Sequence, residues 1–106
     1  MEAGALVENA RPVLNYRRDL PNGDIIQLVV WLLPNPLPGS SHSFKYRLHY
    51  QTADGSDVIR YDNERGKGDH LHIEGKEAPY SFETVKKLVL DFYEAVRQTR
   101  KRGGTQ

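Results

Sequence analysis

The chain has 106 residues, with 15 Lys plus Arg against 14 Asp plus Glu, a formal net charge of +1 and no cysteine. The missing cysteines exclude disulfides, thiolate metal sites, cysteine nucleophiles and iron–sulfur clusters. The balanced charge argues against a protein that coats nucleic acid by bulk electrostatics. With 38% hydrophobic and 27% charged residues, the composition fits one folded domain over residues 1–106, with 1–12 and 103–106 expected to fray. Residues 1–12 lack the basic and apolar segments of a signal peptide. The most apolar run, 25–33, falls far short of the roughly 20 residues a membrane helix needs. A cytoplasmic protein with no membrane association is expected.

Residues 13–20 and 24–33 read as strands joined by Pro21-Asn22-Gly23, since Asn-Gly between apolar runs favours a hairpin. The second strand is apolar on both faces, with Ile26, Leu28, Val30 and Leu32 on one and Ile25, Val29, Trp31 and Leu33 on the other. Such a strand sits centrally. One helix covers only one face, so the face of Trp31 is left for the N-terminal segment, a second copy or a partner, and a partner or a homodimer is expected there. Pro34, Pro36 and Pro38 end the strand.

Residues 44–51 alternate, with Phe44, Tyr46, Leu48 and Tyr50 inward and Lys45, Arg47, His49 and Gln51 outward. A turn at Asp54-Gly55 leads into a strand over 58–64. It sets His49 opposite Arg60, Arg47 opposite Asp62 and Lys45 opposite Glu64, two of them charge-complementary pairs. Tyr50 then meets Ile59, and Leu48 meets Tyr61. A bend at Gly66-Lys67-Gly68 precedes a fifth short strand, 70–74. The last element is a helix with Ser81 as N-cap, a stripe of Phe82, Val85, Val89, Phe92 and Val96, and basic residues near its end. The expected class is α+β: an antiparallel, mostly meander sheet of about five strands with one C-terminal helix across one face.

Chemistry concentrates in residues 60–77, where nine charges fall in 18 positions: Arg60, Asp62, Glu64, Arg65, Lys67, Asp69, Glu74, Lys76 and Glu77. The glycines there do not form a phosphate-binding Walker loop, because its spacing and Lys-Ser/Thr ending are absent. His70 and His72, two apart on a strand, share a face. Three readings stand side by side. In the first they bind a metal, with Asp69, Glu74 or His49 as third ligand, although no complete ligand set is spaced in sequence, and no cofactor is expected. In the second they act as acid and base in RNA cleavage, with Lys67 or Arg65 stabilising the charge that develops on phosphorus. In the third they are surface histidines beside acidic neighbours. Lys45, Arg47 and Arg60 read as a solvated sheet face or as phosphate-contacting groups, with Asn63 and Arg65 at its border.

The segments Lys45-Tyr46-Arg47-Leu48, Tyr61-Asp62-Asn63-Glu64, Gly66-Lys67-Gly68-Asp69-His70-Leu71-His72, Pro79-Tyr80-Ser81-Phe82 and Asp91-Phe92 resemble the TumE-like toxin family. These are small prokaryotic proteins regarded as toxins of two-gene toxin–antitoxin pairs. The resemblance spans roughly residues 13–96, with Asp62, Asn63, Lys67, Asp69, His70 and His72 as motif positions. It implies a cognate antitoxin with a DNA-binding, helix-turn-helix domain. The expected function is growth inhibition through RNA cleavage. In it His70 and His72 share proton transfer, Lys67 stabilises charge, and Asp62 or Asp69 orients a histidine. The alternative is a non-catalytic module that binds protein or nucleic acid through the same charged bend.

Overall fold

The computed structural model describes residues 9–104. Six strands run antiparallel, each paired with its neighbour in the chain: β1 (Arg11–Asp19), β2 (Ile25–Leu32), β3 (Phe44–Gln51), β4 (Asp57–Glu64), β5 (Gly68–Ile73) and β6 (Lys76–Pro79). A helix, α1 (Val85–Gly104), follows. The α+β meander is therefore as expected, with one strand more. The added strand exists because Glu74 and Gly75 both take positive φ, 51° and 84°, and close a two-residue hairpin. Glutamate is an uncommon residue for that conformation, which hid the turn in the sequence.

The β3–β4 register is the expected one, with Arg47 opposite Asp62, Leu48 opposite Tyr61, His49 opposite Arg60 and Tyr50 opposite Ile59. The cross-strand charge pairing is not. Arg47 reaches Asp57 at 3.5 Å, while Asp62 faces Arg60 at 3.2 Å and His70 at 2.7 Å. A bulge between Tyr50 and Gln51 brings Asp57 into the ladder and within reach of Arg47. The Lys45 ammonium donates to the Asn63 carbonyl instead of pairing with Glu64.

The core lies between the sheet and α1. Ile26, Leu28 and Val30 of β2, Tyr46, Leu48 and Tyr50 of β3, and Ile59 and Tyr61 of β4 meet Leu88, Phe92 and Val96. The three helical positions recur every four residues, so one stripe carries the contact. Each such side chain contributes about 1.5–3 kcal/mol on burial, more than intrinsic helix propensity supplies.

The helix begins later than Ser81. Thr84 is the N-cap, its hydroxyl accepting from the Lys87 N–H at 3.0 Å. Phe82 is drawn out of the helix by stacking on His42, with ring centroids 3.9 Å apart, and on Tyr46. Residues 103–104 remain helical and Arg11 and Pro12 pair in β1, whereas the fraying expected at 1–8 and 105–106 lies outside the described residues.

Two loops brace the sheet. Gly39 packs on the backbone of Gly66, and a Cβ there would come within 3.3 Å of the Gly66 Cα. The Gly66 N–H donates to the Pro38 carbonyl at 2.8 Å, so the proline loop holds the β4–β5 bend in place. No helix of the described residues is long and apolar enough to cross a membrane.

Candidate functional site on the open sheet face

Among the described residues no helix lies over the face away from α1. Alternation along the strands puts Gln27, Val29 and Trp31 of β2, Lys45, Arg47 and His49 of β3, and Arg60, Asp62 and Glu64 of β4 on this side. Together they line a groove of about 540 Å³. The β4–β5 ladder sets His70 directly opposite Asp62 and His72 opposite Arg60. Three of the expected catalytic groups, Asp62, His70 and His72, therefore come together at one end of this face.

Their surroundings are specific. Asp62 is 8% exposed and His70 is 4% exposed. The His70 Nδ1 lies 3.1 Å from the Gly68 carbonyl, and its Nε2 lies 2.7 Å from Asp62 Oδ1. This second contact is close but off the line of a hydrogen bond, and Asp62 Oδ1 has no aligned donor. The Arg60 Nε sits 3.2 Å from Asp62 Oδ2. The buried His72 Nε2 has no hydrogen-bond partner, since Glu77 stands 3.8 Å away.

The remaining expected site residues divide. Lys67, exposed on the bend, pairs with Glu77 at 2.9 Å and so stands at the margin of the histidine pair. That hydrogen bond raises the lysine pKa, and the same bond lowers that of Glu77. Arg65 is exposed on the same bend. Lys45 is half-buried, and the loss of hydration pulls its pKa below the usual lysine value. Burial likewise lowers the His49 pKa and favours its neutral form. Asn63 is 1% exposed and faces the helix side. Its amide donates to the Phe44 carbonyl at 2.7 Å and its oxygen accepts from the Tyr46 N–H at 3.0 Å, so the carboxamide extends the ladder beyond the last β3–β4 pair.

Asp69 also points to the helix side and orients a different histidine. His42 Nδ1 accepts from the Phe44 N–H at 3.1 Å, which leaves the ring proton on Nε2, 2.7 Å from Asp69 Oδ2. The Tyr46 hydroxyl donates to the same oxygen at 2.8 Å. Burial first, and this bond second, push the Tyr46 pKa far above its ordinary value. His42 escaped the sequence reading because it stands in a loop, between Ser41 and Ser43, with no periodicity tying it to Asp69.

A small α+β protein with one covered and one open sheet face, the open one bearing a buried carboxylate beside two histidines and a basic groove, is a class with room for either ligand binding or catalysis. The family model described as Toxin TumE matches residues 5–100, and the chain belongs to that family, the toxins of toxin–antitoxin systems. An antitoxin partner follows from that membership. No curated protein and no solved structure matches the chain.

Proposed function

We propose that the toxin arrests growth by cleaving RNA at the open sheet face. The supporting observation is that Asp62 lines one groove with Lys45, Arg47 and Arg60 and also clusters with His70 and His72 on the neighbouring strand at its edge. The three cations suit phosphate oxygens, and the near-neutral whole chain limits their reach to a short stretch of strand. In the reaction a 2′-hydroxyl gives up its proton and its oxygen attacks the adjacent phosphorus. The 5′-oxygen then leaves with a proton, and a 2′,3′-cyclic phosphate remains. The Asp62–His70–His72 cluster handles the proton transfers, and Lys67 at its margin offsets the negative charge that builds on phosphorus.

The antitoxin, proposed to carry a DNA-binding helix-turn-helix domain, neutralises this protein by seating over the groove. Half-buried Ile25, Val29 and Trp31 provide the apolar floor for that contact, or for a second copy of the chain. Leu33 does not contribute, being buried within its own chain.

Inducible expression of wild type against His70→Ala, His72→Ala and Lys67→Ala tests the reading. Loss of growth arrest in soluble, folded variants supports it, and full toxicity in all three removes it. Purified protein incubated with total RNA, with and without chelator, supplies the direct assay. Specific fragments support cleavage, and intact RNA in both arms favours a module that binds without cutting.

A further inference from the structure

We infer that Asp62 Oδ1, His70 Nε2 and His72 Nε2 form a binding site for one divalent transition-metal ion. The first support is proximity: one ligand atom from each residue lies within 4.8 Å of the others. Ligand bonds of about 2.0–2.1 Å to a tetrahedral ion would set neighbouring donor atoms about 3.3 Å apart. The observed spread, from the 2.7 Å contact between His70 and Asp62 upward, brackets that value.

The second support is the state of each donor atom. His70 Nδ1 faces the Gly68 carbonyl, which only accepts, so the ring proton belongs on Nδ1 and Nε2 presents its lone pair. A backbone carbonyl on the far nitrogen is the usual support of a metal-bound histidine. That lone pair lies 2.7 Å from a carboxylate oxygen, and two electron-rich atoms this close are stabilised by a cation that both can reach. A proton is poorly placed to serve, because the contact is out of line and Asp62 Oδ1 has no aligned donor. His72 Nε2, also buried, lacks a partner as well. Two orphaned acceptors and a third lone pair converge, and burial of such atoms without compensation is costly.

Two imidazoles and one carboxylate suit zinc or a neighbouring first-row ion, and three protein ligands leave a position open for water or a phosphate oxygen. Arg60 Nε, 3.2 Å from Asp62 Oδ2, offsets the charge of the other carboxylate oxygen. Where cleavage is concerned, the inference rests on the proposed function: hydroxide formed from water on the ion, rather than a free imidazole, would accept the 2′-hydroxyl proton and be restored to water. Metal binding itself does not depend on that reading.

The test is titration of tag-free protein with Co²⁺, followed by its visible d–d absorption and then by displacement with Zn²⁺. One saturable equivalent, displaced by Zn²⁺, is expected, and absence of saturable binding overturns the site. Asp62→Asn and His72→Gln, checked for native circular dichroism, should each weaken binding at least about tenfold. Folded variants that bind as wild type also overturn it. A rise in the wild-type unfolding temperature with added Zn²⁺ is the measurement that needs no variant, and an unchanged temperature at saturating ion counts against the site. RNA cleavage is scored in parallel with and without chelator. Binding without cleavage leaves the metal site standing and removes the nuclease, whereas cleavage that ignores chelator, with no Co²⁺ bound, does the reverse.

Discussion

Two buried aspartates sit on opposite sides of the sheet's chemistry. Asp24, at the β1–β2 turn and 6% exposed, has its acceptors filled. The Tyr50 hydroxyl, the Asn22 amide and the Arg100 guanidinium reach Oδ2, at 3.1 Å for Asn22 and 3.2 Å for Arg100, and the Ala53 N–H donates to Oδ1 at 3.1 Å. One carboxylate thus ties two hairpin turns to the end of α1. Asp62 is buried to a similar degree, yet its Oδ1 lacks an aligned donor. A satisfied buried carboxylate contributes to stability, while an unsatisfied one is retained for what it binds or reacts with.

The contrast can be broken most sharply at Asp24. Asp24→Ala strips the acceptor from Tyr50, Asn22, Ala53 and the solvent-accessible Arg100 and should cost about 2–4 kcal/mol, read from urea unfolding. Next comes the opposite behaviour at the open face. Asp62→Asn and His72→Ala should change unfolding free energy by about 1 kcal/mol or less, yet lower RNA cleavage by about a hundredfold or more. A variant that loses stability and activity in proportion would erase the distinction between the two aspartates. His42→Gln, which removes the stacking on Phe82 and the bond to Asp69, should cost about 1–2 kcal/mol and leave cleavage by folded protein unchanged.

The smallest effect is at the acid end. Burial acts to raise the Asp24 pKa, but the bonds from Tyr50, Asn22 and Ala53 and the charge of Arg100 outweigh it, so the net direction is downward from 3.8. A depressed folded-state value means that the stability is present above the ordinary pKa and is lost as pH falls through the lowered one. Wild type should therefore lose more stability than Asp24→Asn between pH 7 and the acid limit, followed by urea midpoints.

Much of the scaffold is legible in the sequence. Asn22-Gly23 and Asp54-Gly55 are turn signals with a mechanical cause, and the alternation from Phe44 to Gln51 assigns faces without ambiguity, so the β3–β4 register followed. The site was legible as a segment but not as a constellation. Sequence spacing nominates Asp69, Glu74 or His49 as a third metal ligand, and Asp62 or Asp69 as the carboxylate that orients a histidine. The hairpin through Gly66–Gly68 decides between the two aspartates: it sets Asp62 across from His70 and turns Asp69 to the opposite face. Side-chain pairing was harder still, because one bulge redirected Arg47 to Asp57. The helix start moved to Thr84 because Phe82 stacks on His42, a tertiary contact that no local rule contains.

The meander has a kinetic consequence. Every strand pairs with its neighbour in the chain, so each step of sheet assembly closes only a short loop, and such local topologies fold quickly for β-rich proteins. The interval between the end of synthesis and a finished groove is correspondingly brief. Slow maturation cannot serve as a safeguard for a protein built this way, and whatever restrains it has to be present in the cell before the chain is complete.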